Sequence, residues 1–252
     1  MNQKAKSTTL LNAHLEELKC SVIRQQYQPV AAEAAEQQWD YPTYLARLVE
    51  EEVALRRDRS IARRIRMARF PVLKTLEDFD WTWPSKIHRA EVQHLFRMDF
   101  VHQCANVILL GTVGLGKSHL SIALGHQACL QGYSVLFANA IDIVNSLSAA
   151  RAANALKNEL RKYTRPKLLI IDELGYLPID QLGANLLFQV ITQRYERGSI
   201  VLNSNKAYKK WPEIFHNDST LTSAVLDRLL HHAQTITITG KSYRMKDRDE
   251  NS

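Results

Sequence analysis

The sequence predicts an α/β protein: a core on a five-stranded parallel sheet, preceded by a small all-helical N-terminal domain. Three observations predict it. From residue 106 onward, short aliphatic runs alternate with helix-patterned stretches, the order that places parallel strands in a sheet covered on both faces. The first seventy residues have no such runs and instead carry apolar residues at helical spacing. A glycine-rich loop, GTVGLGKS, follows the first aliphatic run directly and opens a helix.

Composition sets the limits. A chain of 252 residues holds one large domain, or a core with a small appendage, and a hydrophobic content of 45% suffices for a sizeable interior. No apolar run approaches the roughly 18 residues a membrane span needs, and MNQKAKSTTL lacks the apolar stretch of a signal peptide, so no membrane association and a cytoplasmic location are expected. The three cysteines, Cys20, Cys104 and Cys129, are scattered and unpaired in pattern, which argues against disulfides and zinc and for buried, reduced thiols. The net charge of +7 favours a polyanionic partner, with nucleic acid the first candidate.

In chain order, Leu11, Leu15, Leu18 and Val22 mark a helix, and Asp40-Tyr41-Pro42 reads as the capped start of another, with Leu45, Leu48 and Val49 on one face. That helix turns basic in LRRDRSIARRIRMARFP, where Arg56, Arg57, Arg59, Arg63, Arg64, Arg66 and Arg69 accompany an apolar stripe of Ile61, Ile65 and Ala68 up to Pro71. These arginines either neutralise DNA phosphates or form a solvated face. A connector follows, KTLEDFDWTWPSK, whose Phe79, Trp81 and Trp83 are expected to anchor onto the next domain rather than stack on bases, and residues 87–104 suggest a further helix. The expected organisation is a helical domain over 1–70, linker and leading helix over 71–104, the α/β core over 105–245 and a disordered tail over 246–252.

Within the core, NVILL is the first strand and a helix runs from Lys117 to about Gln131. YSVLFAN is the second strand, followed by a helical stretch over 140–162 that holds a second basic group, Arg151, Lys157, Arg161 and Lys162. KLLIID is the third strand; a helix over 181–197 buries Leu186, Leu187, Val190 and Ile191. SIVLNSN is the fourth strand, a helix containing AVLDRLLHHA follows, and QTITITG is the fifth strand.

GTVGLGKS, residues 111–118, fits the G-x-x-x-x-G-K-[ST] pattern of a phosphate loop in the strand–loop–helix context the pattern requires. Gly111, Gly114 and Gly116 permit a turn whose N–H groups face phosphates, with Thr112, Val113 and Leu115 between them and the helix dipole behind. Lys117 is placed to reach the β- and γ-phosphates of ATP and the Ser118 hydroxyl to bind Mg²⁺, with His119 next in line. Asp172 ends an aliphatic strand, the position from which an acid holds Mg²⁺ in such proteins. Glu173 is then free to orient and deprotonate water, so the pair favours hydrolysis over transfer to an acceptor. Asn203 and Asn205, at the end of the fourth strand, either contact the γ-phosphate or simply form a turn. Arg228 is either a finger acting on a neighbouring subunit's nucleotide or the partner of Asp227, and Arg244 is equally open.

Together these stretches resemble IstB-type ATPases, the helper proteins of insertion-sequence transposition, close to DnaC-type helicase loaders within the AAA+ superfamily. The resemblance runs through RRIRMARFPVLKTLEDFDW, GTVGLGKSHL, LLIIDELGYLP, LLFQVITQRYERGS, LDRLLHHA and GKSYR, nearly the whole chain. It implies a P-loop AAA+ core without a C-terminal helical lid, ATP hydrolysis with Mg²⁺, a homo-oligomer with ATP sites at subunit interfaces, and double-stranded DNA and the transposase of the same insertion sequence as partners. It further implies that Arg228 is the arginine finger, Arg244 the second sensor, Asn203 and Asn205 the first sensor region, and 140–162 an insertion lining a DNA path. The chain departs from the family pattern at Asn203, where threonine is common, and at Thr112, Val113 and Leu115. A DnaC-like replicative helicase loader is the alternative function, and an ATP-binding DNA scaffold with little turnover is a third.

Overall fold

The computed structural model describes residues 3–243. The chain divides into two compact units, Met1–Arg63 and Arg64–Ser252.

The first unit holds helices α1 (Gln3–Glu17), α2 (Ser21–Glu36) and most of α3 (Tyr41–Ala68). The apolar repeat that spans residues 11–22 is not one helix. Lys19 takes a left-handed conformation (φ 56°) and breaks it between α1 and α2, so that Leu15 is buried while Leu11 and Leu18 are exposed. Glu52 of α3 is buried and accepts bonds from the backbone N–H groups of Val22 (2.8 Å) and Ile23 (3.4 Å), capping the open first turn of α2. Arg56 completes the junction. Its Nε donates to Glu52 at 3.0 Å, and its Nη2 donates to the carbonyls of Leu18 and Lys19 at 3.0 and 3.1 Å. Burial pushes the Glu52 carboxyl up, but the guanidinium and the two N–H donors outweigh burial and hold it below the usual range. Asp40 starts α3 as expected, accepting from Thr43 N–H at 2.9 Å. The helix stops at Ala68, and Arg69 (φ 60°) and Pro71 turn the chain away.

The second unit is built on five parallel strands in the order β2-β3-β4-β1-β5. They are β1 (Asn106–Leu110), β2 (Val135–Asn139), β3 (Leu168–Leu174), β4 (Ser199–Ser204) and β5 (Ala233–Thr237). Alternate residues of each strand serve opposite faces. Ile108, Leu136, Leu169 and Leu202 join one buried cluster with helices α7 (Ala140–Ala152), α8 (Leu156–Thr164), α9 (Gln181–Arg194) and α10 (Ser219–Leu230). Val107, Leu109, Phe137, Ile170 and Val201 join the other with α6 (Lys117–Leu130). Burial on both faces explains why β1 to β4 read as aliphatic runs, whereas the edge strand β5 is only partly buried and alternates threonine with isoleucine.

Two details differ from the sequence reading. The stretch 140–162 is two helices, separated where Asn154 adopts φ 55°. The segment 71–104, expected to carry one leading helix over 87–104, carries two. It forms the short helices α4 (Arg89–Leu95) and α5 (Asp99–His102), and Phe79, Val92, Leu95, Met98 and Val101 pack into the second cluster. Phe79 is thus a buried anchor, with Trp81 edge-on to it at 4.9 Å. Of the cysteines, Cys129 alone is fully buried, and burial pushes its thiol up to about 11.

Candidate active site

The site forms at the carboxyl ends of the strands. Buried β1 delivers the chain to Gly111, and the loop turns into α6 with Gly116 (φ 85°) just before its first residue. That left-handed backbone suits glycine, and a Cβ there would come within 2.6 Å of the Phe79 ring, so the loop and the connector require the same small residue. The fourteen-residue helix α6 directs its open N–H groups toward the loop. Lys117 Nζ donates to the carbonyls of Gly111 and Thr112, each at 2.7 Å, which curls the side chain over the loop's first limb.

A cavity of about 380 Å³ lies against Gly114, Leu115, Gly116, Lys117, Ser118 and His119. Its other wall is Lys74, Asp78, Phe79, Asp80, Trp83 and Pro84 from the connector, together with Tyr243. Gly111, Thr112 and Val113 are not among the residues that line it. His119 ties the walls together, its Nε2 lying 2.8 Å from the Thr75 carbonyl and its ring edge-on to Phe79 at 5.4 Å. The sequence reading missed this second wall. The signal available was the cluster WTWP, read there only as an anchor.

The acid pair sits on β3, next to β4. Asp172 is buried and Glu173 exposed, the alternation a strand imposes on neighbours. The β3–β4 register shifts between Ile171 and Leu174, and Glu173 adopts φ 61°, an uncommon conformation for a residue with a side chain. Asp172 Oδ1 accepts from Asn203 Nδ2 at 2.7 Å and from Glu173 N–H at 2.9 Å. Asn203 Nδ2 also donates to Ser121 Oγ at 2.9 Å, and that hydroxyl donates to the Ser118 carbonyl at 3.1 Å. A buried chain of bonds therefore runs from β3 through β4 to the first turn of α6. Ser118 and Asp172, a hydroxyl and a carboxylate, are the hard oxygen donors that suit Mg²⁺. The buried Oδ1 atoms of Asn203 and Asn205 have no protein partner, a costly state that suits groups awaiting a donor such as water.

The remaining candidates lie elsewhere. Arg228, on α10, donates to the Ala224 carbonyl at 3.0 Å and stacks 4.9 Å from the Phe188 ring centre; it does not line the cavity, and among the described residues it forms no ion pair with Asp227. Arg244 and the tail 246–252 fall outside the described residues. Arg57, Arg59, Arg63, Arg66 and Arg69 are exposed and Arg64 half-buried, whereas Arg56 is engaged with Glu52. Arg151, Lys157 and Arg161 are exposed; Lys162 pairs with Glu159 at 2.8 Å. Glu196, His231 and His232 cluster at the opposite, amino-terminal ends of the strands and take no part in this site.

A parallel sheet in this strand order, with a phosphate loop after β1 and an acid pair ending β3, defines a P-loop ATPase of the AAA+ class. The chain belongs to the IstB-like ATP binding protein family, which matches residues 13–251. It is 39% identical over 238 residues to an insertion sequence IS21 putative ATP-binding protein of Pseudomonas aeruginosa, covering 94% of this chain and 89% of that one. A Geobacillus stearothermophilus relative, the insertion sequence IS5376 putative ATP-binding protein, is 37% identical, with 94% of each chain covered. Among solved structures the fold is similar to AMPPCP-bound DnaA from Aquifex aeolicus (TM-score 0.58, 20% identity, 73% of this chain and 55% of that one). It is likewise similar to DnaI (TM-score 0.57, 17% identity, 69% and 93%). No helix among the described residues is long and apolar enough to cross a membrane.

Proposed function

We propose that this protein binds and hydrolyses ATP with Mg²⁺ at the cavity beside Gly114–His119, assembles as a homo-oligomer on double-stranded DNA, and in that form assists the transposase of its own insertion sequence. The observation that carries the chemistry is the hydrogen-bonded chain Asp172–Asn203–Ser121–Ser118, which fixes a buried acid relative to the phosphate loop while its neighbour Glu173 stays exposed. The loop amides and Lys117 hold the β- and γ-phosphates, which requires Lys117 to leave the Gly111 and Thr112 carbonyls. Ser118 and Asp172 would hold Mg²⁺, which neutralises charge on the phosphate oxygens when bound. Glu173 takes a proton from a water as that water attacks the γ-phosphorus, the bond to the ADP oxygen breaks, and the proton leaves to solvent after phosphate does. The unpartnered amide oxygen of either Asn203 or Asn205 accepts the other hydrogen of that water. Arg228, away from its own cavity, serves a neighbouring subunit, and Arg244 takes part in the same reaction, a reading supported by the resemblance of GKSYR. The exposed arginines of residues 57–69 and the α7–α8 cations supply phosphate contacts to DNA, so the helical N-terminal segment to residue 70 is a DNA- and partner-binding module.

Membership of an insertion-sequence family favours the transposase as partner over a replicative helicase, the second reading, which the likeness in fold to the DnaC helicase loader keeps in view. Two measurements test the proposal. ATP turnover should rise on adding duplex DNA, and affinity-tagged protein should retain the transposase encoded beside it. Retention of the replicative helicase instead would establish the loader reading, and DNA-independent, negligible turnover would reduce the protein to a scaffold.

A further inference from the structure

Two segments far apart in sequence are sewn together at the mouth of the cavity. Lys86 and Thr239 exchange both backbone hydrogen bonds at 3.1 Å, an antiparallel bridge between the connector and the chain leaving β5. Beyond it, Trp83 Nε1 donates to the Lys241 carbonyl at 3.0 Å, and the Trp83 ring stands edge-on to Tyr243 at 5.6 Å. The strap so formed reaches the phosphate loop. Tyr243 N–H donates to the Gly114 carbonyl at 2.8 Å, and Ser242 packs so close that a Cβ on Gly114 would fall 2.0 Å from its hydroxyl. Trp83, Tyr243 and Gly114 all line the cavity.

We propose that Trp83 and Tyr243 are positioning residues that form a clasp: they hold the strap on the phosphate loop and thereby set how slowly nucleotide leaves. The inference rests on the reading of this cavity as the ATP site. The peptide bond after Gly114 is planar and trans, so drawing its carbonyl toward Tyr243 turns the Leu115 N–H the other way, away from the strap and toward the phosphates. The clasp thus does two things with one contact. It orients a loop donor, and it closes the cavity wall on the connector side, so nucleotide departure follows parting of Trp83 from the strap. A connector that is tied to the nucleotide in this way also senses its presence, because Trp83 precedes Lys86 and follows Phe79, which is packed against Gly116.

The test is the release rate of a fluorescent, non-hydrolysable ATP analogue from the full chain, measured by stopped flow with unlabelled ATP as competitor. Trp83→Ala should accelerate release about tenfold, the size of one aromatic pair plus the Nε1–H bond to Lys241, whereas Tyr243→Ala, which keeps its backbone bond to Gly114 and loses the ring pair, should accelerate it about threefold. Because both act through one clasp, the double variant should be no faster than Trp83→Ala alone. Trp83→Phe, which retains a ring but lacks the Nε1–H donor, should fall between wild type and Trp83→Ala, and it serves if the alanine variant folds poorly. Unchanged release rates, or effects that multiply in the double variant as two independent base contacts would, overturn the clasp while leaving the ATP site intact. Failure of the wild-type chain to bind the analogue at all overturns the ATP reading beneath it.

Discussion

Asp172 and Glu173 are neighbours in the chain with opposite surroundings. The pleat of β3 turns Asp172 inward, where Asn203 and the Glu173 N–H hold one of its oxygens, and leaves Glu173 exposed on a left-handed backbone. A residue with a side chain at φ 61° costs about 1 kcal/mol or more, and such strain persists where the surroundings enforce it. Here the register shift between Ile171 and Leu174 enforces it and re-aims the carboxylate. These environments support the proposed division of roles, a fixed acid for the metal and a free one for the water. Glu173→Gln keeps shape and backbone, so ATP binding should be retained while hydrolysis falls by roughly 10²–10⁴. If ATP-bound subunits are those that assemble, this variant should also persist on DNA as a long-lived complex. Asp172→Asn should instead raise the Mg²⁺ concentration needed for half-maximal binding and form the DNA complex poorly. Steady-state phosphate release and DNA-complex lifetimes for the two variants separate these outcomes; wild-type turnover in Glu173→Gln would reverse the assignment.

At the scale of elements, the junction of α1, α2 and α3 shows why an arginine-rich helix is not uniform in role. Arg56 closes the exposed carbonyls of Leu18 and Lys19 and braces Glu52, which in turn caps α2. Glu52 has a depressed carboxyl pKa in the folded state, so its stabilising contribution is present above the ordinary carboxylate range and is lost as pH falls through the folded value. Glu52→Gln should therefore lower stability by about 1 kcal/mol near neutrality. The gap from wild type should close progressively on acidification below about pH 4, a trend that thermal unfolding followed by circular dichroism will display. The elements legible in the sequence were those with a strong local signature. Aliphatic runs marked β1 to β4, the alternating threonines and isoleucines of QTITITG marked the edge strand β5, the glycines with Lys117 and Ser118 marked the loop, and Asp40 marked the start of α3. The breaks at Lys19 and Asn154 were not legible, since a single left-handed residue inside a helical pattern leaves the apolar spacing intact. The cavity wall of Asp78, Trp83 and Tyr243 was hidden for another reason: its members are brought together by β5 and the connector, a pairing that no local pattern announces.

The molecule as a whole is probed through its charge and its assembly. The net charge of +7 is spread over groups with different engagements, and structure sorts them. Replacing the exposed Arg57, Arg59, Arg63, Arg66 and Arg69 should flatten the dependence of log DNA affinity on log salt by about 0.9 for each phosphate no longer neutralised. Arg56→Ala, whose side chain is committed to the helix junction, should leave that slope unchanged and lower thermal stability. Equal slopes for wild type and the multiple variant would return these arginines to a solvated face. Assembly is probed through Arg228, which is held on α10 by the Ala224 carbonyl and Phe188 and does not line the cavity of its own chain. On the function proposed above, Arg228 acts on a nucleotide bound by another subunit, where such a finger contributes about 10³–10⁵ in rate. Arg228→Ala should accordingly bind ATP normally and turn it over poorly, whereas Lys117→Ala should fail to bind. Mixed in one solution, the two inactive variants should recover part of the activity. At a mixed interface, the intact Arg228 of a Lys117→Ala subunit faces the intact phosphate loop of an Arg228→Ala subunit. Recovery should peak near equal proportions, where such interfaces are most numerous. If crosslinking shows that mixed oligomers form and no ratio restores turnover, Arg228 acts within its own chain or not at all.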